Sequence, residues 1–313
     1  MTNSIMFHHF HGILHPKTQG SINSIQFEEI INYVSREYNI LGAQEYIKKI
    51  SNNTILKKDI CLSFDDALLS QYDIALPVLK KKNIKAFFFI YSAPIAGEKS
   101  YLEPFRYFRN IAFSNINEFY DIFFNKTSKL KSKKYQIEKK KFKEEKYLTD
   151  FPFYSFKDKW FRYLRDQFLS PDEYENIMIK IIEQKGYILN DIIKKLWMSE
   201  IELMNLKKLG HTLGLHSYNH PTTMHKLNEK SQHKEFSMNL KHLESILGKG
   251  TIESMSHPCG NYNQTTLSVL NNLGIKVGFL SNMSNHKVKS WLEIPREDHS
   301  NILIKMKNEN YNI

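Results

Sequence analysis

Cysteine is nearly absent from this chain: among 313 residues only Cys61 and Cys259 carry thiols. Two thiols give no disulfide framework and suit a reducing compartment. Long apolar runs are missing as well. None approaches the roughly 18 residues of a membrane span, and Met1 to His9 lacks the basic-then-apolar order of a secretory leader. These absences point to a soluble, cytoplasmic protein with no stable membrane insertion. No stretch is rich enough in Pro or Gly to mark a linker, and no internal repeat is apparent. Acidic residues are scarce relative to basic ones, 33 Asp and Glu against 44 Lys and Arg, for a net charge of +11. That balance invites a nucleic-acid reading, but the excess is concentrated: Lys126 to Lys146 holds ten lysines against Glu138, Glu144 and Glu145. Such a block is a solvated helix face or a loop, and with no recognition module beside it nucleic acid is excluded as the main partner. A phosphorylated or lipid-linked substrate is compatible with the charge.

What the chain does have is 41% hydrophobic and 13% aromatic content, enough to bury the core of one large domain or of a domain with a lobe. Ser4 to His9 reads as a strand running into histidines, Gln26 to Tyr38 as an amphipathic helix, and Ala43 to Ile50 as another helix. Asp59 to Phe64 reads as a strand, Gln71 to Lys82 as a helix and Ala86 to Tyr91 as a fully buried strand. This β-α-β order predicts an α/β fold with a parallel sheet or barrel, whose chemistry gathers at the carboxyl ends of its strands. From about residue 101 to 199 the pattern changes to long helical stretches rich in Lys, Phe and Tyr. Strands at Thr212 to His216, Ile252 to Ser256 and Ile275 to Leu280 then alternate with helices at Glu200 to Leu209, Glu229 to Leu247 and Gln264 to Leu273. The expected organisation is a barrel formed by residues 1–100 and 200–313, with residues 101–199 as a helical insertion that borders the site and sets substrate choice.

Asp65 and Asp66 follow the Asp59 to Phe64 strand. Successive side chains of extended backbone face opposite sides, so one carboxylate can bind a metal while its neighbour stays free as a base. His216 and His220, four apart and followed by Pro221, can present both imidazoles to one ion. With one Asp they make a three-ligand site that keeps a position for water. Cys259 beside His257 suggests a thiol nucleophile, but no third group is there to orient the pair.

Leu62-Ser63-Phe64-Asp65-Asp66-Ala67 resembles the T-F-D-D-G motif of the polysaccharide deacetylases (the NodB-homology or carbohydrate esterase 4 family), and His216-Ser217-Tyr218-Asn219-His220 resembles their H-S/T-x-x-H motif. Ser256 to Tyr262 resembles their third motif. The resemblance spans about residues 4 to 300, interrupted by the insertion. It implies a distorted (β/α) barrel of the NodB type, one divalent metal ion that is usually Zn2+, and hydrolysis of an N- or O-acetyl group on a sugar. Position by position it implies Asp66, His216 and His220 as metal ligands, Asp65 as the general base and the backbone N–H of Cys259 as an oxyanion donor. The chain departs from the pattern at three places. Ala67 stands where Gly is usual, a change that is tolerated if φ there is negative. Ser256 replaces the arginine of the third motif, so Arg296, within an L-P-R-like segment, is expected to reach Asp65 instead. The histidine that serves as leaving-group acid has no clear counterpart, His299 being the candidate. His8 and His9 resemble an opening Y-H segment and are expected to line the substrate pocket, with Trp291 as an aromatic wall. The expected activity is that of a metal-dependent carbohydrate deacetylase, a C–N hydrolase acting on an acetylated sugar or glycan precursor. The alternatives are a catalytically degenerate glycan-binding barrel and an amide hydrolase, such as a deformylase, acting on a small non-sugar substrate.

Overall fold

A computed structural model describes residues 4–149, 154–281 and 288–311. The chain divides into two compact units, residues 1–100 with 196–313, and residues 101–195.

The first unit is built on eight strands paired in parallel: β1 (Ser4–Phe7), β2 (Asn39–Ile40), β3 (Asp59–Phe64), β4 (Phe87–Ile90), β5 (Thr212–Leu215), β6 (Ser254–Ser256), β7 (Val277–Phe279) and β8 (Glu297–Asp298). Their order is β7-β6-β5-β4-β3-β1-β8, with β2 attached to β3. The sheet closes through the segment leading into β8. Ile294 exchanges backbone hydrogen bonds with β7, donating its N–H to Gly278 and accepting from the N–H of Leu280, while Glu297 and Asp298 pair with Ile5 and Met6 of β1.

Strand alternation sorts the side chains. Along β3 and β4, Ile60, Leu62, Phe64, Phe88 and Ile90 pack outward among the helices, whereas Cys61, Phe87 and Phe89 fill the barrel interior with Val277, Phe279 and Ile294. Helix α1 (Ser24–Val34) opens on an Asn23 capping box with Gln26, and its buried face carries Phe27, Ile30, Ile31 and Val34. Helix α2 (Ala43–Ser51) joins the interior cluster through Tyr46, Ile47 and Ile50. The helix expected from Gln71 to Lys82 instead begins as a π-helical turn, Gln71–Ala75, before α3 (Leu76–Lys81). Pro77 near the start of α3 has no N–H to donate, which favours such an irregular first turn.

The second unit is all helical: α4 (Leu102–Ile111), α5 (Ile116–Leu130), α6 (Ser132–Lys141), α7 (Phe156–Tyr163), α8 (Pro171–Gln184) and α9 (Leu189–Ile193). Its core is aromatic, with Phe105, Phe108, Phe119, Phe123, Trp160 and Phe161 fully buried. Back in the first unit, α10 (Glu200–Lys208), α11 (Glu229–Leu247), α12 (Gln264–Asn272) and α13 (His299–Asn308) complete the fold. Among the described residues no helix is long and apolar enough to cross a membrane.

Candidate active site and metal centre

The parity that sends Cys61 and Ser63 inward also sends Asp65 inward, one residue past the end of β3. Asp66 would face the opposite way in extended backbone, but its φ of +77° turns the chain. Its Oδ1 then lies 3.4 Å from Nε2 of His216 and 3.4 Å from Nε2 of His220, and the two imidazole nitrogens are 3.2 Å apart. Donor atoms at about 2.0–2.1 Å from a tetrahedral ion lie about 3.3 Å from one another, so these three side chains have the spacing of a metal's ligand face. Two imidazole lone pairs and a carboxylate turned toward one point also repel one another unless a cation sits among them. Ser256 reinforces this: its carbonyl accepts the Nδ1–H of His216 at 2.8 Å, which leaves the Nε2 lone pair aimed at the cluster. The donor set therefore fits a divalent cation.

Backbone strain is concentrated here. Of nine non-glycine residues with positive φ among those described, five belong to this site: Asp66, Ala67, Ser217, His220 and Cys259. The condition set for Ala67, a negative φ, is not met: it adopts +54°, the left-handed region that favours glycine.

Asp65 is held by Arg296. The guanidinium donates from Nη1 to Oδ1 at 2.7 Å and from Nη2 to Oδ2 at 2.6 Å. It also donates to Ser63 Oγ, Ser256 Oγ and the carbonyl of Leu280, so all five N–H groups of a guanidinium are used. Arg296 is 0% exposed and stands on the segment that closes the barrel. Burial alone would raise the carboxyl of Asp65, but the charge and hydrogen bonds of Arg296, with His216 also nearby, pull it down to about 2. Asp66 is likewise held well below the usual carboxylate range: burial opposes ionisation, and the polar contact with His216 and the charge of His220 outweigh it. Burial would lower His216, and the charges of Asp65 and Asp66 raise it instead.

The other expected residues fall into two groups. His8 follows β1 and brings Nε2 to 3.7 Å from Asp65 Oδ2, with 27% of its side chain exposed; its ring stacks on that of His9. Cys259 sits at φ +52° between Pro258 and Gly260 and is exposed. His299 is placed differently from expectation. His299 opens α13 with its ring stacked on Phe7 and its Nε2–H donated to the carbonyl of Gly20 at 3.0 Å, so its proton is already committed to a backbone acceptor. Trp291 lies in a turn, and Ile294 rather than Trp291 is level with Phe279 in the parallel register. The carbonyl of Trp291 accepts the N–H of Gly278 at 2.7 Å, and its side chain is exposed.

Three polar residues that hold the site were not foreseen. Asn239 of α11 accepts the His216 N–H and donates to the carbonyl of Ile90 and to Ser92 Oγ. Gln71 donates to the carbonyls of Asp65 and His8. Glu235 accepts the N–H groups of Tyr218 and Asn219 and pins the turn between the two histidines. Asn239 had a signal: it occupies the buried stripe of α11 with Phe236 and Leu243, a place where a polar side chain needs a partner.

A family model described as polysaccharide deacetylase matches residues 184–278, a stretch that contains both histidines and the Cys259 turn. Curated protein sequences give no match. Among solved structures the fold resembles a Streptococcus pyogenes deacetylase, PplD, in complex with acetate, at 16% identity and a TM-score of 0.55, covering 95% of this chain and 91% of that one. It also resembles IcaB from Ammonifex degensii, at 15% identity and a TM-score of 0.57, covering 95% and 90%. A de-N-acetylase from Aggregatibacter actinomycetemcomitans matches at 13% identity and a TM-score of 0.54, covering 95% and 94%. At these identities the neighbours establish the fold, a NodB-type (β/α) barrel. The resemblance to polysaccharide deacetylases is thus carried by the family model and by the architecture as well as by the motifs.

Proposed function

We propose that this chain is a metal-dependent carbohydrate deacetylase that hydrolyses the N-acetyl group of a sugar. The observation that carries the reading is the Asp66, His216 and His220 triangle beside an independently held Asp65. Two imidazoles and one carboxylate suit Zn2+. When bound, such an ion would lower the pKa of a water at the site and stabilise negative charge on the scissile carbonyl.

The chain's own residues divide the remaining work. Asp65, kept ionised and aimed by Arg296, is always ready to accept the proton of the attacking water, and at a carboxyl pKa of about 2 it is a weak base that relies on an acidified water. The Cys259 turn offers a backbone N–H toward the oxyanion, by analogy with the motif it resembles. His8, 3.7 Å from Asp65 Oδ2 and partly open to solvent, is assigned the role of proton donor to the leaving amine in place of His299. The substrate class is an acetylated nucleotide- or lipid-carrier-linked glycan precursor in the cytoplasm; the scarcity of cysteine, with neither thiol in a disulfide, supports that compartment.

The test is release of acetate, read by mass spectrometry, when zinc-loaded protein meets pools of N-acetylated nucleotide sugars and oligosaccharides. Turnover that Asp65→Asn abolishes supports the reading. Release of formate only, or turnover confined to small non-sugar amides, would replace it with the amide-hydrolase alternative.

A further inference from the structure

The helical unit, residues 101–195, carries 20 Lys and Arg against 14 Asp and Glu, and most of that charge is solvated lysine. Two of its arginines are different. Arg109, at the carboxyl end of α4, is only 8% exposed; its guanidinium lies 4.5 Å from the ring centroid of Phe161 and 5.4 Å from that of Phe119. Arg162, the residue after Phe161 on α7, stacks over Tyr154 at 4.1 Å. The Nε–H of each is buried without a hydrogen-bond acceptor among the described residues, and among those residues neither arginine forms an ion pair with a carboxylate.

The nearby carboxylates are committed elsewhere. Asp158 takes the Tyr120 hydroxyl and the Ser155 capping donors, and Asp166 takes Arg165 through two hydrogen bonds. Burial, with Arg162 and Arg165 close by, pulls Arg109 down to about 10, while Tyr174 and Tyr120 act the other way; at neutral pH it stays charged. A buried guanidinium cannot escape its desolvation by losing a proton. Phe161 and Phe119 lie against the guanidinium of Arg109 and Tyr154 against that of Arg162, and a planar fork of N–H donors matches the oxygens of a phosphate group.

We propose that Arg109 and Arg162 form an oxyanion site in the helical unit that takes the phosphate group of a small phosphorylated molecule. This site stands on residues separate from the metal triangle, so its test does not depend on deacetylation. Isothermal titration of the full chain with inorganic phosphate, uridine diphosphate and acetate reads it directly. Binding of a phosphate-bearing ligand should weaken at least about tenfold in Arg109→Met and in Arg162→Met, consistent with loss of charge-assisted hydrogen bonds. It should persist in Lys139→Met, which removes an equal charge from the exposed surface of α6. Tighter binding of uridine diphosphate than of inorganic phosphate assigns the group to a larger ligand, and equal binding assigns it to free phosphate. If Arg109→Met fails to fold, Arg162→Met carries the test. No binding by the wild-type chain, or equal loss in Lys139→Met, would overturn the proposal and leave Arg109 as a packing cation.

Discussion

Replacing Arg296 with methionine should unmake the base without touching a metal ligand. The side chain has similar reach and no charge, so the barrel stays filled while five hydrogen bonds disappear. Asp65 is 2% exposed, and in metal-stripped protein its carboxylate would keep the Ser256 hydroxyl at 3.1 Å as its hydroxyl donor while its facing cation is gone. Breaking one side of a buried ion pair costs about 3–5 kcal/mol, and urea unfolding of metal-stripped Arg296→Met at pH 7 should show a loss of that size. The sign with pH follows from linkage. In the wild type the carboxyl of Asp65 lies at about 2, below its unfolded value, so it contributes stability above about pH 4, worth about 2 kcal/mol, that is lost as pH falls toward 2. In the variant burial dominates and raises the carboxyl, so the defect should shrink as pH falls and Asp65 takes a proton. Adding Asp65→Asn to Arg296→Met removes the stranded charge and should recover more than half of the loss. A variant within about 1 kcal/mol of wild type, or a double variant no better than the single, would show that Arg296 does not sustain Asp65 as argued.

Asp65→Asn should keep one equivalent of divalent metal and lose turnover by about 100- to 10,000-fold, whereas Asp66→Asn should weaken metal binding itself; equal metal affinity in the two variants would merge their roles. His216→Ala and His220→Ala should each lose the metal by elemental analysis, and full occupancy in both would remove the triangle from the site. His8→Gln should slow hydrolysis of an N-acetyl amide far more than that of 4-nitrophenyl acetate, whose leaving group needs no proton, and equal slowing would deny His8 the acid role. Ala67→Gly should leave stability nearly unchanged, because relief of left-handed strain of about 1–2 kcal/mol offsets the buried methyl and the added chain entropy. Ala67→Val should destabilise in thermal unfolding, and a stable valine variant would contradict the strain.

What was legible in the chain and what was not separates along a physical line. Residues 59–64 could be read as a strand, and residues 229–247 as a helix, because their apolar periodicity is local and their boundaries carry turn or capping residues. The carboxylate pair and the two histidines were legible for a related reason, since each pair is close in sequence and advertises its chemistry without reference to the rest of the fold. Arg296 could be nominated from its short segment, but its contact with Asp65 spans 231 positions and exists only because the sheet closes there; the strand that follows has two residues, too few for any alternation to reveal. His299 was misjudged by the same closure. The start of α13, capped by Asp298, decides which way His299 faces. The left-handed turn at Asp66 and Ala67 left no local mark either, since neither aspartate nor alanine signals positive φ as glycine does. Yet without that turn the second carboxylate would point among the helices, and the alternation that makes the pair chemically useful would keep it from the histidines. The site therefore depends on a strain that a glycine would have announced and an alanine conceals.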